Sequence, residues 1–367
     1  MWGGMRPIAA ALTTAVLLAG CGLSGGDSGS SDAKSATAGT NAPPLSEVTP
    51  LDDVRDWEGE VVAAADTPVD PVGSPEPELP VTVTDAQGTK VTVKDASRIL
   101  ALDVYGTIAR TVFELGLGDR LVGRDTSTSF EEAKDLPLVT QNGHGLNAEA
   151  ILELDPTVII TDTSLGPWDV ILQMRASGIP VVVLASHRTL GNVADLIRAV
   201  AEPLGVPEAG DALAKRTQQQ IDDAVKQIAE VAPADERERL RTVFLYVRGQ
   251  SGVYYMFGED SGADSIIEAI GGYNVADEIN WNGMKPLTDE GLVAAQPDLV
   301  LMMTGGLKSA DGLDGLLKRL PALAETPAGQ HRRFVAMDDS QILGFGPITG
   351  SVLNALAVAT YAPESIS

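Results

Sequence analysis

Apolar positions along the chain come as short continuous runs, each followed by a stretch whose apolar residues recur at helical spacing. The first ordered pattern is "PVTVTDAQGTKVTVK", where Val81, Val83, Val91 and Val93 alternate with polar residues on either side of "DAQG", as in a β-hairpin. "RILALD" (98–103), "TVIITD" (157–162) and "PVVVLA" (180–185) then read as buried strands, separated by helical segments such as "GNVADLIRAVAEPLG". Such alternation predicts a parallel α/β sheet. The segment "VPEAGDALAKRTQQQIDDAVKQIAEVAP" places Leu213, Ile221, Val225 and Ile228 on one helical stripe between Pro207 and Pro233. Roughly 26 residues rising ~1.5 Å each make a rod of about 39 Å, long enough to join two lobes. Beyond it the strand pattern restarts with "RTVFLYVRG" (241–249), "PDLVLMMTG" (297–305) and "RRFVAMDD" (332–339). The chain is therefore expected to be α/β, with two Rossmann-like lobes of parallel sheet, residues 80–205 and 234–367, joined by one long helix at 206–233.

An internal match supports two similar lobes. "NAEAILELDPTVIIT" from Asn147 and "TDEGLVAAQPDLVLM" from Thr288 each carry a glutamate, Glu149 or Glu290, seven residues before a proline, Pro156 or Pro297, that precedes an apolar strand. A glutamate in the first turn of a helix is favoured by the helix dipole alone.

Composition narrows the class. The chain has 367 residues, 44% of them hydrophobic, enough for two cored lobes, and a formal net charge of -25. That charge excludes a broad nucleic-acid or anionic-membrane surface, which needs a basic patch. Residues 1–21, "MWGGMRPIAAALTTAVLLAGC", read as an export signal whose apolar run, Ile8 to Leu18, is too short to span a bilayer. "LLAGC" resembles the lipobox of bacterial lipoproteins, so the lone cysteine, Cys21, is expected to carry lipid and to tether the chain to the cell membrane. Residues 22–79 follow as a flexible tether, poor in large apolar residues up to Pro50, then acidic and proline-rich with Trp57 as anchor.

Aromatic residues make up only 4% of the chain, so a tyrosine at a strand end draws notice. In "FLYVRGQ", Tyr246 and Arg248 point to the same face, because side chains alternate along a strand. Read alone, Tyr246 is a strand-end tyrosine whose hydroxyl finds a partner. His144 lies between two glycines in "QNGHGLNAEA", just before an Asn147 helix cap; a loop histidine of this kind is ordinarily solvated. His187 precedes a helix, and His331 lies in an exposed turn. The chain has only these three histidines, with no G-x-S-x-G elbow and no zinc spacing, which argues against an envelope enzyme and against a bare-metal receptor.

The lipobox, hairpin, "RILALDVYGTIARTVFELGLGDRLVGRD", single long helix and "GFGP" resemble class III substrate-binding proteins of ATP-driven importers, which serve cobalamin, siderophores and haem. The resemblance runs from about residue 80 to the end. "YVRG", "GGYN", "MKPLTDEGLVAAQPDLVL" and "AMDDSQILGFGP" are most similar to the HmuT-type haem receptors. It implies an extracytoplasmic, lipid-anchored receptor, not an enzyme, that captures ferric haem and delivers it to an ABC-type permease with its ATPase. His144 and Tyr246 are then the axial ligands of haem iron, and Glu149 and Glu290 meet permease arginines. Ferric iron suits a phenolate, a free tyrosine has a pKa near ~10, and the Arg248 guanidinium favours the anion by charge and hydrogen bonding. Met303, Tyr255 and Tyr273 are expected against the macrocycle, with Met303 equally readable as core. Tyr254 and Trp281 are further candidates there, and Arg124, Arg188 and Lys285 are candidate cations for the propionates. The alternative within this fold is a siderophore or cobalamin receptor in which Tyr246 is only a contact.

Overall fold

A computed structural model describes residues 39–366 of the chain. The expected signal peptide, Cys21 and the first part of the tether lie outside the described residues.

The arm before residue 80 corrects the expectation of a tether through residue 79. Strand β1 (Glu60–Ala64) lies parallel to a strand some 270 residues downstream, with Glu60 opposite Phe334 and Ala63 opposite Met337. Trp57, Leu45 and Val54 are buried with it. The arm is ordered because its apolar run pairs with Phe334–Met337 on one side and with Thr40–Asn41 on the other, a gain that local composition does not reveal. After β1 the chain crosses to the first lobe, where Arg110 donates to the carbonyls of Thr67 and Pro68, and the amide of Val72 donates to Glu114 O.

The first lobe follows the predicted pattern. The 81–84/90–93 hairpin forms with Val81 opposite Val93. Then come β2 (Ile99–Leu102), α1 (Thr107–Val112), β3 (Leu121–Gly123), α2 (Ala148–Glu153), β4 (Val158–Thr161), α3 (Trp168–Ala176), β5 (Val181–Val183) and α4 (Val193–Ala201). The strands form one all-parallel sheet in the order β5-β4-β2-β3. All four residues of β2 and of β4 are buried, as expected of strands covered on both faces.

The linking helix α5 spans Pro207–Val231, with proline at its first position. Leu213, Ile221 and Ile228 are buried along the predicted stripe, and Val225 is half-buried. Gly210 lets α5 lie close on α4, since a Cβ there would stand 2.5 Å from the Ala201 methyl.

The second lobe holds β6 (Arg241–Arg248), β7 (Val253–Phe257), β8 (Met284–Pro286), α6 (Asp289–Ala295), β9 (Leu299–Met303), β10 (Phe334–Met337) and α7 (Thr349–Tyr361). Strands β1, β10, β9 and β6 are parallel neighbours, as predicted for the later three. The sheet is not wholly parallel: β7 and β8 extend it antiparallel beyond β6. The reversal is made by the Gly249–Ser251 turn and Gly252, whose φ of 64° is the left-handed conformation glycine accepts.

Candidate functional site

Strand β6 turns from core to site along one face. Phe244, Tyr246 and Arg248 share that face, and the antiparallel register sets Phe257 opposite Phe244 and Tyr255 opposite Tyr246. The rings form a ladder: Phe244 and Phe257 stack at 5.1 Å, Tyr246 and Phe257 at 6.2 Å, and Tyr255 meets Tyr246 edge-on at 6.4 Å. The two phenylalanines are buried, whereas both tyrosines and Arg248 are half-buried at the sheet's end. Strand ends of this kind are where ligands collect in open α/β sheets.

Arg248 lies over the Tyr246 ring, its guanidinium carbon 4.5 Å from the centroid. Its Nη1 donates to Val247 O at 3.0 Å, and its Nη2 pairs with Asp339 Oδ2 at 3.3 Å. Asp339 is itself fixed, accepting from the amide of Gly305 at 2.8 Å. The expected hydrogen bond from Arg248 to the phenol is thus replaced by a cation–π contact. A guanidinium 4.5 Å over the ring still sets a positive charge against any negative charge that the phenol oxygen shares with its π-system.

His144 comes from the other lobe. It sits in the turn of a small hairpin in which Thr140 opposes Leu146, shaped by Asn142 (φ 49°) and Gly143 (φ 90°). The Asn147 side chain caps α2 directly after it, accepting from the amides of Glu149 and Ala150. The imidazole is exposed, and its pKa is pushed down by desolvation and then by the Arg248 guanidinium, with Asp339 opposing. This places His144 within electrostatic reach of the Arg248–Asp339 pair across the cleft. The shift favours the neutral ring, the form that can donate a lone pair to a metal.

The other candidates divide. Tyr255 joins the aromatic ladder. Met303 ends β9 on the same face, one position beyond the Leu245–Met302 pairing, but is only 5% exposed and belongs to the core. Tyr273 does not reach the site: it pairs with Arg241 at the opposite end of β6, under that guanidinium at 5.6 Å. Five residues of strand separate it from Tyr246, about 16 Å. Trp281 donates to Met256 O and carries Lys285 over its ring. Arg124 donates to Asp125 O at 3.3 Å. Arg188 is buried, bridging Asp103 at 3.3 Å and Asp162 at 2.8 Å, and so is not a surface cation. Among the described residues no group of three His, Cys, Asp or Glu side chains gathers to hold a bare metal ion.

Sequence reasoning missed three features. Asp339, which orients Arg248, lay in the quoted "AMDDSQILGFGP" without a role. Tyr105, half-buried just past β2, is within electrostatic reach of Arg188, Asp103 and Tyr246. The carboxyl ends of β2, β3 and β4 also bring Asp103, Asp125 and Asp162 together in the first lobe. Burial raises Asp103 to about 6 and Asp125 to about 7, against the lowering effects of Arg188 on the first and of backbone amides on both. Beside these groups, a cavity of about 730 Å³ opens between the lobes, lined by Tyr105, Thr107, Phe130, Lys308 and Phe345 but not by His144 or Tyr246.

Glu149 and Glu290 are both exposed in the first turns of α2 and α6. Neither has an ion-pair partner among the described residues. Thr288 Oγ1 caps α6 through the amide of Gly291 at 3.0 Å, as Asn147 caps α2.

The profile of the periplasmic binding protein family matches residues 104–341. A crystal structure of the haem-binding protein HmuT is 41% identical, with a TM-score of 0.79, covering 84% of this chain and 99% of that one. Further structures of HmuT carry alanine in place of one arginine, one histidine or one tyrosine. The apo form of the periplasmic haem-binding protein RhuT from Roseiflexus sp. RS-1 is 37% identical, with a TM-score of 0.65, covering 74% of this chain and 100% of that one. The cobalamin-binding protein of Halobacterium salinarum is 28% identical over 248 residues, 66% of this chain, and the match spans 63% of that protein's own length.

Proposed function

The chain belongs to the periplasmic binding protein family, and on that premise we propose that it captures ferric haem between its lobes outside the cytoplasm and passes it to an ABC-type permease. The observation that carries this reading is the Asp339–Arg248–Tyr246 stack at the end of β6, within electrostatic reach of His144 on the other lobe. Tyr246 and His144 bind opposite faces of the iron, and the two coordinate bonds hold the lobes together. Tyr255 lies against the macrocycle. The tyrosine and arginine replaced in HmuT are two positions apart, as Tyr246 and Arg248 are here. A lipid on Cys21 keeps the receptor at the outer face of the cell membrane, where Glu149 and Glu290 meet cations of the permease.

The test is an absorbance titration of the mature protein with haemin, beside His144→Ala and Tyr246→Ala. Saturable one-to-one binding with a shifted Soret band is expected, weakened or spectrally altered by either substitution. Haemin that fails to saturate, with cyanocobalamin binding in its place, would move the chain to the reading that the Halobacterium relative suggests.

A further inference from the structure

The cavity of about 730 Å³ between the lobes is lined by neither His144 nor Tyr246, and the function proposed above leaves it without a role. Its walls are in part flat and apolar: Phe130, half-buried, and Phe345, 3% exposed, line it together with Tyr105. Phe345 holds a left-handed backbone, φ 49°, that an aromatic residue rarely adopts. The glycines beside it, Gly344 and Gly346, lie against Thr107 of the other lobe, where a Cβ on Gly346 would stand 2.4 Å from the threonine methyl. "GFGP" thus seats Phe345 at the cavity wall where the two lobes touch.

Six charged residues border the cavity, and five of them are engaged. Arg110 pairs with Glu114, Glu131 pairs with Lys134, and Asp66 accepts from Gln341 Nε2 at 2.7 Å. Glu132 accepts from the amide of Val69, and Asp338 from that of Ser340. Lys308 is exposed, and its ammonium has no hydrogen-bond or ion-pair partner among the described residues. The carboxylates repel an anion from the rest of the wall, so an anionic group entering the cavity is directed to Lys308. The three candidate cations read from the sequence, Arg124, Arg188 and Lys285, do not line the cavity.

The short helix Thr304–Ser309 that carries Lys308 is fixed to the end of β6. A Cβ on Gly306 would stand only 3.1 Å from Val247 O, so its absence lets the helix lie close on the strand, and Ser309 Oγ accepts from the amide of Gly249 at 2.8 Å. At the start of the helix the Gly305 amide holds Asp339, which pairs with the Arg248 that lies over Tyr246. Thr304 and Lys308 are four residues apart and line the cavity together. Tyr105, from the first lobe, is within electrostatic reach of Tyr246. A flat ligand held at Tyr246 therefore has beside it a space with aromatic walls and one free cation.

We propose that this cavity receives the carboxylate-bearing edge of a tetrapyrrole held at Tyr246, with Lys308 as the cation that recognises it. This rests on the receptor reading above and deepens it by naming what selects the ligand around the iron. An ammonium on a four-carbon stem is a mobile point charge, suited to a carboxylate at the end of a flexible chain rather than to a fixed bidentate partner. It discriminates a dicarboxylate from a ligand of similar body whose edge carries amides or esters.

Haemin and its dimethyl ester, in which both carboxylates are masked, are titrated in one solvent into the mature protein and into Lys308→Met and Lys308→Arg, at low and high salt. The mature protein is expected to bind haemin about fivefold more tightly than the ester, the scale of a solvent-accessible charge pair, with the gap narrowing as salt rises. Lys308→Met should lose that preference, with ester affinity and Soret position unchanged, and Lys308→Arg should keep it. A mature protein that saturates with haemin yet takes the ester equally well would overturn the cavity assignment alone. Lys308→Met with the preference intact, or with equal losses for both ligands, would overturn the role of Lys308. Saturation by neither ligand would remove the receptor reading, and this inference with it.

Discussion

At the residue scale the site rests on one cation in a demanding place. Arg248 lies over the ring of the proposed ligand and is held by Asp339, so on that reading it would act on iron only through Tyr246. Outer groups of this kind change metal affinity by roughly 10- to 100-fold. Arg248→Ala is therefore expected to weaken haemin binding by about tenfold, less than Tyr246→Ala does, with the Soret position retained; Arg248→Lys, which keeps the charge but not the planar guanidinium, should fall between the unsubstituted protein and Arg248→Ala. Titration of the three variants at one pH ranks them. The buried carboxylates make a second prediction. Asp103 and Asp125 have folded pKa values of about 6 and about 7, above their unfolded value of 3.8. The folded state then binds more protons than the unfolded one in that window, so their contribution is fully present below the unfolded value and is lost as pH rises through the folded values. Urea midpoints from pH 4 to 8 should carry this downward slope, and Asp125→Asn should flatten it. A slope unchanged by Asp125→Asn would place the protons elsewhere.

Elements differed in how far the sequence disclosed them, and the difference follows the distance to their partners. The strands β2, β4, β6, β9 and β10 announce themselves by continuous apolar runs, and α5 by its stripe and bounding prolines, because each is recognisable from its own residues. Strand β1 is not, since its partner Phe334–Met337 lies almost a whole chain away. Strand β7 is a different case: its partner β6 lies only one turn away, and "VYYMF" becomes a strand by folding back on it across Gly249–Ser251 and Gly252. Tyr273 shows the limit for site residues, because only its pairing with Arg241 reveals which end of the sheet it occupies. The arm also carries an expectation of its own. Glu114, 3% exposed, accepts from Arg110 at 2.7 Å and from Arg216 of α5 at 2.8 Å, while Arg110 holds the carbonyls of Thr67 and Pro68. Removing the shared carboxylate leaves the buried Arg110 guanidinium without its ion-pair partner, while Arg216 keeps Asp70 at 3.0 Å, at a cost of about 3 kcal/mol. Glu114→Ala should lower the thermal midpoint and make residues 67–72 the first site of limited proteolysis. Unchanged cleavage there would mean that the arm is held by β1 alone.

For the whole molecule, these attachments mean that two links cross between the lobes rather than one. The sequence predicted α5, a helix of 25 residues that resists bending along its length. The structure adds the arm, which leaves the second-lobe sheet at Ala64 and reaches Val72 against α1 and its continuation. The lobes also meet directly, where Thr107 Oγ1 donates to Gly344 O at 2.7 Å and Leu190 N to Ser265 Oγ at 3.2 Å. A cleft restrained this way closes on its ligand by small adjustment, not by a wide hinge. Crystal structures with and without haem should superpose over both lobes together with Cα deviations of about 1 Å or less, with the change concentrated in the His144 hairpin. Each lobe superposing well alone, with a large rotation between them, would show that neither link governs the motion. If the small change is found, release by wide spontaneous opening of the cleft is disfavoured. On the proposed docking, release would be driven through Glu149 and Glu290, which stand on opposite lobes and would pull on the proposed bonds of His144 and Tyr246 from opposite sides.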